Sequence, residues 1–312
     1  TVLMSVGFHY YETGQQSLQL QWISKDKAPQ TLGKIMAAGS VASLGAYAII
    51  LLVHQVLHLE YKYIYLIGGS ITLTIAIFAA FYFPTFKEDA QQNKQLILRK
   101  RYWLYYALTF MSGARRQIFV VFAGFMMVER FSFPIWAMTC LYLFNHLLNM
   151  FLAPYIGRMI HKHGERNSLG VEYVGLIIVF SAYGFVASLP VGTTLLFGLP
   201  LIGFAAAALF FMDHALFAMA LAIKTYFQKI AVSADIAATA GVAFSINHIA
   251  AVGLPVILGL VWMQNNAAVF FIGAAMAIVS LGLSRLVPHN PAPGNELVWG
   301  AASASTLIKA NE

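Results

Sequence analysis

Residues 102–128 read YWLYYALTFMSGARRQIFVVFAGFMMV, from Tyr102 to Val128, and this stretch decides the fold. A membrane-crossing helix needs about 20 largely apolar residues, and this run of 27 supplies them. Yet Arg115 and Arg116 stand side by side near its middle. A guanidinium at bilayer depth is costly unless it faces protein, water or a counter-charge. Two readings meet that cost. One arginine lines a polar pathway through a helix bundle, which points to transport, or the pair serves a structural clasp locking two helices.

The remainder of the chain repeats the apolar pattern. Of its 312 residues, 60% are hydrophobic and only 10% charged, against about 25% charged in soluble domains. Mean hydropathy is +0.72. A net charge of +7 would suit nucleic acid in a soluble protein, but here the charges fall in loops between apolar runs. The excess of basic residues on cytoplasmic loops explains that distribution, and no nucleic-acid partner is expected. Cys140 is the lone cysteine, so no intrachain disulfide can form.

The pattern predicts an all-α polytopic membrane protein with eight complete spans and a partial one. Thr1–Trp22 reads as a helix remnant with an unusual polar load. The complete spans are Pro29–Val53, Tyr63–Phe83, Tyr102–Val128, Pro134–Ile160, Ser168–Leu189, Thr193–Lys224, Ala237–Met263 and Ala267–Val287. Taking the loop with Lys25, Lys27 and Lys34 as cytoplasmic, the alternate loops hold Lys87, Lys94, Arg99, Lys100 and Arg101, then Arg158, Lys162 and Arg166, then Lys224 and Lys229, with Arg285 at the exit. The opposite side carries only Lys62 and Arg130. This asymmetry predicts a multi-pass protein of the cell inner membrane with its carboxyl terminus in the cytoplasm. The long charged loop divides the chain. Residues 1–84 read as the remnant of an N-terminal bundle, 85–101 as a cytoplasmic central loop, 102–288 as a six-helix bundle, and 289–312, with Pro291, Pro293 and Gly294, as a flexible tail. A six-plus-six transporter lacking its first three helices would have this form.

Gly157-Arg158-Met159-Ile160-His161-Lys162-His163-Gly164-Glu165-Arg166 resembles the loop motif G-x-x-x-D-R-x-G-R-R of the major facilitator superfamily (MFS). That motif lies between the second and third helices of the family and recurs between the eighth and ninth. Here it sits between the second and third spans after the central loop, as the recurrence requires. Gly157, Gly164 and Arg166 match; Arg158 is the basic residue after the first glycine, and His161 and Lys162 replace the usual Asp and Arg. Lys224-Thr225-Tyr226-Phe227-Gln228-Lys229-Ile230, followed by Asp235 and by Ser245-Ile246-Asn247-His248, resembles uncharacterised bacterial members of the family. The family resemblance implies an MFS-type helical bundle in which Thr1–Trp22 ends helix four and the eight spans are helices five to twelve. Signatures of two subfamilies are absent. Gly39-Ser40-Val41-Ala42-Ser43-Leu44-Gly45 lacks the Gly-Pro-x-x-Gly-Gly element of drug antiporters, and Pro84-Thr85-Phe86 and Pro288-His289-Asn290 lack the sugar-porter motifs.

Polar residues inside the spans form stripes. His9, Glu12, Gln16 and Gln19 are spaced three, four and three, which puts them on one helix face. A stripe of that kind should line a cavity or meet another polar helix. Glu12 is the best candidate for a protonatable carboxylate, weighed against an entry-loop residue at the bilayer edge. Asp213 and His214 lie mid-span and need a partner; Arg115 or Arg116 is the expected one, and His214 could relay a proton at physiological pH. Lys224, eleven residues on, shares the Asp213 face of a straight helix and can snorkel to the interface. His248 is expected to line the cavity, and Asn145 and Asn149 to tie helices together. Glu172 is expected to cap its span or pair with the Arg158–Arg166 loop. The small residues from Gly33 to Gly45 mark close helix packing.

Other chemistry is weakly represented. His54 and His58, four apart, can bind zinc but read better as an interfacial pair, and no metal is expected. No glycine-rich phosphate loop or nucleophile arrangement appears, so neither an ATP-driven pump nor an enzyme is expected, and no cofactor. Two functions remain: a proton-coupled secondary transporter moving a small solute by alternating access, or a non-transporting membrane scaffold that reuses the fold. Paired arginines suit an anionic solute, because guanidinium binds carboxylate or phosphate in a bidentate way. The expected transport or proton pathway comprises Glu12, Gln16, Arg115, Arg116, Asp213, His214 and His248.

Overall fold

A computed structural model of the chain describes residues 2–82, 91–93, 95–96, 98–192 and 195–299. Pro84, Lys87 and Lys94 of the central loop, the tail from residue 300 and the side chain of His54 lie outside them, with the expectations placed there. The described chain is almost wholly helical. Helix α1 (Val2–Trp22) turns into α2 (Ala28–Leu51), whose Pro29 occupies the first turn, where its missing N–H is no loss. Helix α3 (Tyr61–Tyr82) follows. Helix α4 (Trp103–Gln117) runs on through π-helical turns at Ile118–Ala123 and Met126–Arg130. Then come α5 (Ile135–His163) and α6 (Glu165–Ser188). Seven stretches among the described residues are long and apolar enough to cross a membrane. Helices α1 and α4 fall outside that set, since α1 carries the Glu and Gln stripe and α4 carries two arginines and is divided by π turns.

One expected boundary is corrected. The span placed at Thr193–Lys224 starts instead at α7 (Leu201–Phe217) and continues through a 3-10 turn, Ala218–Ala220, into α8 (Leu221–Ile230). Before it, β1 (Leu195–Leu196) and β2 (Leu199–Pro200) form a two-stranded hairpin. Its turn holds Phe197 and Gly198 at φ 52° and 78°, a left-handed pair that a helix cannot contain. Helices α9 (Ile236–Gln264) and α10 (Asn266–Ser284) complete the bundle.

The packing is carried chiefly by α2 on α5, α6 on α10 and α4 on α9, then by α6 on α7, with α1 also resting on α9. The α2–α5 seam is backbone on backbone. A Cβ on Gly33 would strike the carbonyl of Ala153, and one on Gly157 the carbonyl of Pro29. Asn149 Nδ2 donates to Ser40 Oγ at 2.9 Å across the same seam, as expected of a residue tying helices. Asn145 is buried with neither side-chain polar atom hydrogen-bonded among the described residues.

The basic loops gather at one end of the bundle in a polar network. Lys25 Nζ donates to the carbonyls of Lys229 and Ala231, and partial burial holds its amine below the usual lysine range. His161 Nδ1 lies 3.0 Å from the carbonyl of Asp26. Lys229 reaches both oxygens of buried Glu165, at 2.7 and 2.9 Å. Arg99 and Asn93 donate to Asp235. Gly164, at φ 79°, makes the sharp α5–α6 corner that favours glycine. Arg166 Nη1 donates to the carbonyl of Val287 at 3.2 Å, and Arg158 is exposed. The prolines and Gly294 suggest a loose tail, but residues 289–299 are held. Val298 N–H donates to Leu286, Tyr226 O–H donates to the carbonyl of Glu296, and the Glu296 carboxylate pairs with Arg101. These contacts to Tyr226, Arg101 and Leu286 outweigh the turn composition here.

Candidate functional site

Five elements enclose a cavity of about 430 Å³. Helix α1 contributes Phe8, Glu12, Gln15, Gln16 and Gln19, spaced so that one face turns inward. The apolar floor comes from α2, with Leu32, Ile35 and Met36. Helix α4 presents Tyr105, Thr109, Ser112 and Arg116, at spacings of four, three and four. From the α7–α8 segment come Phe217 and Lys224, and from α9 Phe244, Asn247 and His248. Glu12 and Arg116 both lie within electrostatic reach of Lys224. Arg116 and Lys224 are both exposed, and the space that exposes them is this cavity.

His9 lies just beside the cavity lining. Its ring meets His248 edge to face at a centroid distance of 4.6 Å, and Phe244 stacks on His248 at 4.0 Å. His248 Nδ1 lies 2.9 Å from the carbonyl of Phe244, one turn back, which fixes the ring against its own helix.

The neighbouring arginine faces the other way. Successive helical residues point about 100° apart, and Arg115 is buried where Arg116 is exposed. Arg115 Nη2 is 2.9 Å from Glu172 Oε1, and both side chains are almost fully buried, at 6% and 0% exposure. The N–H vectors lie off line, and neither side chain makes a directed hydrogen bond among the described residues, so the attraction is coulombic. Asp213 is buried within electrostatic reach of both. Phe217, one turn beyond Asp213, separates this cluster from the cavity. Its ring centroid is 5.3 Å from Arg115 Cζ and 5.9 Å from Arg116 Cζ.

The structure thus brings Glu12, Gln16, Arg116 and His248 together at the cavity and places Arg115 and Asp213 behind its wall. His214 is on neither surface; it sits by Phe119 and within reach of His146. Three expectations are corrected. The carboxylate beside Arg115 is Glu172, not Asp213, and Glu172 is not paired with the Arg158–Arg166 loop, because it lies deep in α6 facing α4. Lys224 does not share the Asp213 face but lines the cavity. A straight helix would put residues 213 and 224 about 20° apart, but the 3-10 turn advances about 120° per residue rather than 100°. Three such residues add about 60° more, so Asp213 turns into the wall and Lys224 into the cavity. The Tyr105–Thr109–Ser112–Arg116 stripe was also overlooked, although its spacing is plain in the sequence. Among the described residues no group of three potential metal ligands occurs.

The family model described as Major Facilitator Superfamily matches residues 1–223 of the chain. No significant match is found among curated proteins.

Proposed function

The chain belongs to the major facilitator superfamily, a family of membrane transporters acting on small solutes across a lipid bilayer, and on that premise we propose that it is a proton-coupled secondary transporter working by alternating access. The observation that carries this reading is the 430 Å³ cavity, whose walls bring one carboxylate, two cations, a histidine and a row of amides together from separate helices. Its volume falls in the range of small-molecule sites, about 300–1,000 Å³. A scaffold reusing the fold has no need to keep such costly groups at bilayer depth; large apolar side chains would fill the space.

In this reading α4 with its π turns is an eighth complete span and α1 a partial one, and the basic end of the bundle is cytoplasmic. The network at that end closes the cavity on the cytoplasmic side. Coupling falls to the cluster behind the wall. Arg115 balances only one of the two buried carboxylates, Glu172 and Asp213, so the other offers a place for the coupled proton. Phe217 touches both arginines, so a change in the buried cluster reaches the cavity through one side chain.

The test is uptake by the full-length protein in proteoliposomes over a metabolite panel, with an imposed pH gradient. The expected result is accumulation of one solute class with acidification of the lumen, and, in Asp213→Asn, loss of accumulation with exchange retained. Accumulation that ignores the pH gradient would remove the proton coupling. Failure of every solute to move, with the protein folded and inserted, would favour the scaffold.

A further inference from the structure

We propose that the cavity selects small organic anions with an apolar body, the anionic group held between Arg116 and Lys224; this rests on reading the cavity as a transport site. The charges decide it. Two cations face the cavity against the single carboxylate of Glu12, which leaves one positive charge without a partner among the lining residues. Arg115, the other nearby guanidinium, is engaged by Glu172 and does not reach the space. A cleft lined by an excess of one charge, with low-dielectric walls, attracts the opposite charge, here an anion. The planar guanidinium of Arg116 suits a carboxylate or phosphate ester, and the ammonium of Lys224 adds a point charge.

The rest of the wall describes the remainder of the ligand. Phe8, Phe217 and Phe244 offer ring surfaces, and Leu32, Ile35 and Met36 an apolar floor. Such a surface favours an aromatic or aliphatic body over a polyhydroxylated one. Glu12 then has a definite part. Its charge offsets part of the field of the two cations and so competes with an incoming anion. Removing its charge should strengthen anion binding, a direction that a merely structural carboxylate would not give.

The measurement is thermal stabilisation of the full-length protein in phosphatidylcholine nanodiscs, titrated with benzoate, phenyl phosphate, neutral benzamide and cationic benzylamine. Benzoate or phenyl phosphate should raise the melting temperature saturably, while benzamide and benzylamine should not. Binding should weaken about tenfold in Arg116→Gln, recover in part in Arg116→Lys, and weaken in Lys224→Gln, since each removes a charge-assisted bond. Glu12→Gln should tighten it several-fold. Repeating the titration with phosphatidylglycerol in the disc separates a free anion from a lipid headgroup. Stabilisation by phosphatidylglycerol that leaves benzoate and phenyl phosphate without effect would overturn the proposal. So would a preference for benzylamine, an anion effect untouched in the Arg116→Gln, Lys224→Gln double variant, or no shift with either anion. Transport of a neutral or cationic solute would sink the anion site and leave the transporter reading standing. Anion binding with no flux of any solute would do the reverse.

Discussion

Arg115 and Arg116 are chemically identical and adjacent, yet burial gives them different work. Arg115 is held against a carboxylate with no exposure, so removing its charge strands Glu172 in a low-dielectric site. Breaking such a pair from one side costs about 3–5 kcal/mol, whereas replacing both members with apolar residues of similar size is often near neutral. Arg115→Gln and Glu172→Gln should therefore each destabilise strongly, and Arg115→Met with Glu172→Leu should recover most of the loss. Arg116→Gln, at a solvated position, should change stability by about 0.5 kcal/mol or less. Denaturation midpoints of the four variants in one detergent check this. Equal losses at 115 and 116 would mean that both arginines are structural.

At the scale of the element, the α2–α5 seam depends on two glycines that meet opposing carbonyls. Backbone is the obstacle there, so no side chain can rotate away. Gly157→Ala and Gly33→Ala should each lower stability by about 1–3 kcal/mol through forced separation of the helices. Gly39 on the same helix has open space at its Cβ. Gly39→Ala should be neutral or stabilising by up to about 1 kcal/mol, because alanine favours the helix. Thermal melts of the three single variants distinguish seam from surface; a uniform response would remove the packing argument. The first glycine of the loop motif thus has a local physical reason here: at Gly157 two backbones touch.

At the scale of the whole molecule, the basic end ties α1 and α2 to α5 and α8. Gln228, buried in α8, donates to the carbonyls of Leu20, at 2.9 Å, and Ile23, where α1 ends. Gln228→Ala would leave two carbonyls without that donor, a loss of about 1–3 kcal/mol from the closed end. Every 1.4 kcal/mol is tenfold in a two-state population. Spin labels at Asp26→Cys and Lys162→Cys, beside the His161–Asp26 contact, should report a short distance in the parent and a longer, broader one with Gln228→Ala. An unchanged distance would mean that Gln228 does not hold this end shut.

Much of the architecture was legible because bilayer depth imposes length and polarity on each segment. The apolar runs, the charged loops, the α1 stripe and the glycines of the motif all follow from local spacing. The separation of Arg115 from Arg116 was legible as well, since 100° per residue sends neighbours to different environments. What spacing could not supply was partner and phase. Glu172 lies 57 positions from Arg115 in the chain, and only the packing of α4 against α6 decides that it, rather than Asp213, makes the contact. The 3-10 turn after Phe217 is three residues of ordinary apolar sequence, yet its tighter winding turns Lys224 off the Asp213 face and into the cavity. The sequence by itself determined which segments are long and apolar enough to cross a membrane and which residues are too polar to face lipid. Tertiary structure decided which of those residues meet, because charges pair through space and the helix packing sets the distances.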